Sequence, residues 1–124
     1  MRRIVVATDR SERADRAAAW AMDMAERYEA ELVIVQVVEK TTPEVEAELA
    51  RFAEPAGARA RVVVDSDPPG AIVRAAAEEK ADVLVVGNVG MSGRREFLLG
   101  NVPNRVSHNA PCTVVIVDTS GGRR

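Results

Sequence analysis

The sequence predicts one α/β domain: a five-stranded, mostly parallel sheet in the order 3-2-1-4-5, Rossmann-like, with helices on both faces. Three observations predict it. Short β-branched apolar runs alternate with amphipathic, alanine-rich stretches along the whole chain, joined by short connections with no repeat or linker. Apolar residues make up 47% of the sequence and aromatics 3%, so the core is aliphatic, as in a parallel sheet covered by alanine-rich helices. A length of 124 residues suffices for one core and not for two.

The first run, residues 2–8 (RRIVVAT), reads as a central strand and ends at the polar, helix-capping turn Asp9-Arg10-Ser11-Glu12. From residue 12 to about 29, Ala14, Ala17, Ala18, Ala21, Met22, Ala25 and Tyr28 recur at helical spacing, with charge on the other face. Residues 31–38 (ELVIVQVV) form the next strand. Thr42 caps a helix with Pro43 in its first turn and a Val45, Leu49, Phe52 stripe, ending near Pro55-Ala56-Gly57. A third strand covers 58–64, the loop 65–70 (DSDPPG) follows, and a helix spans 71–80. The fourth strand, 82–86, runs into a glycine-rich stretch. Asn101 then caps the last helix with Pro103 in its first turn. Pro111 closes that helix, and 113–118 (TVVIVD) is the fifth strand. The domain is expected to span 1–118, with a disordered tail at 119–124.

Several function classes are excluded at this level. A net charge of −2 supplies no field to draw nucleic acid or an anionic membrane. Cys112 is the single cysteine, so no internal disulfide or multi-cysteine metal site can form. The apolar run behind the opening MRR is too short for a signal peptide, and no window approaches the ~18 apolar residues of a membrane span. The expected setting is cytoplasmic.

The stretch from Gly87 to Asn101 (GNVGMSGRREFLLGN) carries the strongest functional signal. Glycines between a strand and a helix N-terminus let backbone N–H groups converge on an anion such as phosphate. An ordinary surface connection would also be rich in Gly and Ser, but a loop of about a dozen residues favours function. In parallel α/β sheets ligands bind beyond the strand carboxyl ends, where strand order reverses. The order 3-2-1-4-5 sets this stretch beside Asp9-Arg10-Ser11. Arg94 and Arg95 could clamp phosphate or be solvated, while Phe97-Leu98-Leu99 would anchor the loop to the core or a partner. Asp9 could cap the first helix, meet a ligand, or both. Asp65 and Asp67 read equally as cation ligands or turn residues. Trp20 and Met24 fit either the core or a partner face. His108, the single histidine, reads as a surface or capping residue, and no Ser-His-Asp or Cys-His set emerges.

The glycine spacing fits neither the P-loop, since no Lys follows a glycine, nor the dinucleotide fingerprint, since residue 89 is Val. Gly87-x-x-Gly90, nine residues, then Gly100-Asn101 resembles the ATP-binding motif of the universal stress protein family. IVVATDRSE resembles the family's opening strand and turn, ADVLVVGNVG its fourth strand and first glycines, and HNAPCTVVIV its closing strand. The resemblance runs nearly end to end, and only the second helix region is shorter. It implies the fold of the adenine nucleotide alpha hydrolase-like group and ATP as ligand, with Mg²⁺ as companion cation. By position it implies Thr8 and Asp9 beside the adenosine, Val37 near the adenine, and Gly87, Gly90, Gly100, Asn101 and Val102 around ribose and phosphates. The family's hydroxyl residue after the last glycine is Asn101 here, which can cap and donate from its amide but has no rotating hydroxyl. The resemblance also implies a homodimer through the last strand, Thr113–Val117. The favoured reading is a non-enzymatic, nucleotide-binding regulatory protein. The alternatives are a dimeric interaction module without nucleotide and a slow ATPase.

Overall fold

In the computed structural model the described residues are 1–88 and 101–119, the side chains of 101–104 excepted. The elements are β1 (Arg3–Thr8), α1 (Glu12–Tyr28), β2 (Glu31–Val38), α2 (Pro43–Ala53) with a 3₁₀ turn (Glu54–Ala56), β3 (Arg59–Val64), α3 (Pro68–Glu78), β4 (Val83–Gly87), α4 (Asn101–Asn109) and β5 (Thr113–Val117). The sheet order is β3-β2-β1-β4-β5, as expected, and every pairing is parallel.

Strand alternation splits the core into two layers. Ile4, Val6, Ile34, Val83 and Val85 face Ala18, Ala21 and Ala25 of α1 and Leu49 and Ala53 of α2. On the other side Val5, Val33, Val35, Leu84 and Val86 face Ile72, Ala75 and Ala76 of α3 and Val106 of α4. The central strands are buried on both faces, which is why they read as unbroken apolar runs.

Several details differ from the sequence expectation. Helix α3 begins at Pro68 rather than 71, because both prolines fit a first turn whose N–H groups have no intrahelical partner. Strand β4 runs on through Gly87, which pairs with Val117. Tyr28 is 59% exposed and leaves the buried stripe, since α1 stops one residue later at Glu29 in a left-handed cap (φ 55°). Thr119 is ordered and 1% exposed, so the described chain runs one residue past the expected boundary at 118; residues 120–124 lie outside the described set. Trp20 is 48% exposed on the outer face of α1, whereas Met24 packs against the core.

The amino ends of the strands are tied by charge. Asp82 accepts from the N–H groups of Arg2 and Arg3 at 2.7 and 2.9 Å. The buried Glu79 carboxylate at the end of α3 receives Arg59 and Arg61, the latter at 2.8 Å, and Arg3 donates to the Glu79 carbonyl. Arg59 and Arg61 stand two apart on β3 and so reach the same side. Chiefly the Arg59 hydrogen bond, against the opposing effect of burial, holds the Glu79 carboxyl below the usual glutamate range. Its folded pKa therefore lies below its unfolded one. The stabilisation is complete at neutral pH and is lost as pH falls below about 4.3 and through the lower folded value. Glu79→Gln should destabilise by about 2 kcal/mol at pH 7, because two cations lose their partner. The wild-type advantage should shrink as urea melts are repeated at falling pH, and an equal gap at pH 7 and pH 3 would refute the assignment.

Candidate functional site

Strand order reverses between β1 and β4: the chain leaves β1 toward β2 on one side and β4 toward β5 on the other. Thr8 and Gly87 are the final residues of these adjacent strands, and in parallel α/β sheets ligands bind beyond the strand carboxyl ends at such a reversal.

The β1–α1 turn is closed by its own side chains. Thr8, buried, accepts the Arg10 N–H on Oγ1 at 2.9 Å, and Asp9 Oδ1 accepts the Ser11 N–H at 2.9 Å. Ser11, not Asp9, caps α1, its Oγ accepting from the Ala14 N–H at 3.1 Å. Arg10 takes a left-handed backbone (φ 68°), uncommon without a glycine. Its side chain explains the tolerance. The guanidinium makes two bonds of 3.1 Å to Asp15 and lies 3.9 Å from the centre of the Phe52 ring, fastening the turn to α1 and α2. One group in the turn is left over: Asp9 Oδ2 is buried and has no hydrogen-bond partner among the described residues. A buried acceptor without a donor is rare, and it suits a ligand N–H or O–H.

Gly87 is a strand residue facing α1. A Cβ there would lie 3.5 Å from Thr119 Cγ2 and 3.9 Å from Ala17 Cβ, ordinary contact distances, and its φ is not left-handed. Its role in this structure is close packing rather than chain reversal. Val37 is half-buried on the α3/α4 side, one residue beyond Gln36, the β2 partner of Thr8, and so stands beyond the carboxyl end of β1. Gly90, Gly100, Arg94, Arg95 and Phe97-Leu98-Leu99 lie outside the described residues. Asn101 and Val102 open α4, and their side chains are likewise outside the description.

Helix α4 is fixed by Val106, fully buried, and by Arg105, which pairs with both Asp67 carboxylate oxygens at 2.9 and 3.2 Å. Asp65 pairs with Arg74 and accepts the Asp67 N–H, so both loop aspartates serve α3 and α4. His108 is exposed, and burial pushes the half-buried Cys112 thiol up. Among the described residues no cluster of three metal-ligating side chains occurs, and no helix is long and apolar enough to cross a membrane. Sequence reasoning missed Asn88 and Thr119, whose side chains meet at the end of β4. The only available signal was a polar pair flanking two strands that end together.

The universal stress protein family model matches residues 1–60 and 42–118, nearly the whole chain. The chain belongs to the universal stress protein family. A universal stress protein of Thermus aquaticus is 33% identical over 132 residues, covering 92% of this chain and 96% of that one. One from Mycobacterium tuberculosis is 55% identical over 53 residues, but the match spans only 36% of its length. Among solved structures, a universal stress protein in complex with cAMP superposes with a TM-score of 0.78 at 38% identity, covering 96% of this chain and 98% of the other. The family member from Archaeoglobus fulgidus in complex with dAMP gives 0.70 at 26% identity, covering 95% and 98%. Both of these family members hold adenine nucleotides.

Proposed function

We propose that this universal stress protein binds an adenine nucleotide, ATP with Mg²⁺ in the first instance, and acts in the cytoplasm as a ligand-linked regulatory protein rather than as an enzyme. The observation that carries the reading is Asp9 Oδ2, a buried acceptor with no donor among the described residues, at the strand-order reversal. An adenine amino group or a ribose hydroxyl is a donor of the right kind, so the residues present fit the group. The cAMP and dAMP complexes of family members add support. Binding would favour whichever state of the protein holds the nucleotide better, shifting stability or partner choice by that difference in affinity.

The same reading includes a homodimer through β5. That edge strand pairs only with β4 among the described strands, and Ile116 on it is 46% exposed. Asn101 in place of the family's hydroxyl residue favours the second reading, a dimeric module without nucleotide.

The test is to denature the purified protein and assay released nucleotide, then to titrate the emptied protein with ATP, AMP and cAMP, with and without Mg²⁺, by calorimetry. Micromolar binding without phosphate release over hours supports the regulatory reading. No heat at millimolar nucleotide refutes it and leaves the dimer, tested by sedimentation of Ile116→Lys. Turnover above background would make the protein a slow ATPase.

A further inference from the structure

Past β5 the chain turns back onto the body instead of leaving it. Asn88, the residue through which the chain passes from β4 into 89–100, donates its N–H to the Val117 carbonyl at 2.9 Å and so lengthens the β4–β5 ladder. Its side-chain Oδ1 accepts the Thr119 N–H at 2.9 Å and lies 3.4 Å from Thr119 Oγ1, while Nδ2 donates to Asp118 at 3.3 Å. From the opposite side Arg16 of α1 donates to the Thr119 carbonyl at 3.0 Å. The Thr119 side chain lies over Gly87, where a Cβ would meet its Cγ2 at an ordinary contact distance of 3.5 Å. Thr119 is thereby 1% exposed, although only one residue separates it from the end of β5.

We propose that Asn88, Thr119 and Arg16 form a clasp that sets nucleotide affinity by fixing the carboxyl end of β4, with Asn88 acting as a positioning residue through Thr119. The proposal rests on the nucleotide reading above. A strand end held from one side by the ladder and from the other by an amide side chain keeps one geometry, and a ligand bound beyond the strand carboxyl ends gains from that pre-set position. Linkage makes the effect reciprocal: bound nucleotide favours the closed clasp, and opening the clasp weakens the nucleotide by the same factor.

The experiment uses the full chain with cAMP as probe. Two quantities are read: the Kd by calorimetry and the exchange rate of the Thr119 amide by NMR. Asn88→Ala is expected to speed Thr119 exchange and to raise the Kd about tenfold, at the lower end of typical coupling between sites. Arg16→Ala should act in the same direction, and the double variant should fall short of the summed effects, since both act through Thr119. Saturating cAMP should slow Thr119 exchange in the wild type. Faster Thr119 exchange with the Kd within about twofold of wild type would overturn the coupling. If Asn88→Ala does not fold, Arg16→Ala and Thr119→Gly carry the same two readouts. A wild type that binds neither cAMP nor ATP refutes the nucleotide reading and the coupling together. Thr119 exchange in Asn88→Ala would then report separately whether the clasp exists as a structural tie.

Discussion

Asp9→Asn is expected to weaken adenine nucleotide binding by about 30- to 100-fold while leaving the empty protein about as stable as before. The two carboxylate oxygens of Asp9 have separate work. Oδ1 accepts the Ser11 N–H and holds the turn, whereas Oδ2 is buried without a donor. Asparagine keeps an acceptor for Ser11 and turns the other position into an N–H₂ donor. A ligand donor aimed at Oδ2 would then meet another donor. The loss combines a missing charge-assisted bond with an unsatisfied buried group, about 2–3 kcal/mol, which at 1.4 kcal/mol per tenfold gives the stated range. In the empty protein the substitution removes a charge that has no cation bonded to it among the described residues, so the midpoint of thermal unfolding should stay within about 3 °C. Calorimetry and melting curves on the same samples decide it. Unchanged affinity would remove Asp9 from the site. A fall of about 10 °C in the melting midpoint would make it a structural residue of the turn.

Ala17→Leu should destabilise the fold by about 3 kcal/mol, a large share of the 5–15 kcal/mol that holds a typical domain together. Alanine and leucine are both strong helix formers, so propensity predicts almost no change. Packing predicts the opposite. Ala17 is fully buried and lies 3.9 Å from where a side chain on Gly87 would sit, so the methyl groups of α1 set the helix directly on the sheet. An isobutyl group at that point must push α1 away from β4 or expel Thr119, and either opens the layer built on Ala18, Ala21 and Ala25. Ala19 is exposed on the same helix and supplies the control, with Ala19→Leu expected within about 0.5 kcal/mol of wild type. Urea melts of the two variants should therefore separate clearly. Equal stability would mean that α1 is not seated as closely as the alanine stripe requires.

Much of the fold was legible because its signals are local. The runs RIVVAT and VLVVG are apolar at every position, which marks strands buried on both faces. The alanine periodicity of α1 and the Thr42-Pro43 start of α2 read out as helices for equally local reasons. The strand order was expected from fold rules, since 3-2-1-4-5 sets strands one and four, and so the two loops carrying polar signals, side by side. The site was legible only in part. Sequence position marked Asp9 as a candidate but could not separate capping from ligand binding. That separation depended on Ser11 taking the cap and leaving Oδ2 with no donor. Gly87 read as a loop glycine of the phosphate cradle, yet it is a strand residue paired with Val117 and packed against Thr119 and Ala17.

The sequence by itself determined the alternation of elements, the all-aliphatic core and the family, since apolar periodicity, turn residues and motif spacing are properties of short segments. Tertiary structure alone decided what long-range partners do. Arg10 is held in a left-handed backbone by Asp15 and Phe52 from two helices. Glu79 is matched to two arginines of β3, and Thr119 is drawn into the body by Asn88 and Arg16 across 31 and 103 residues of sequence. Such pairings leave no periodic trace, because each depends on where the sheet brings two distant side chains within hydrogen-bond reach.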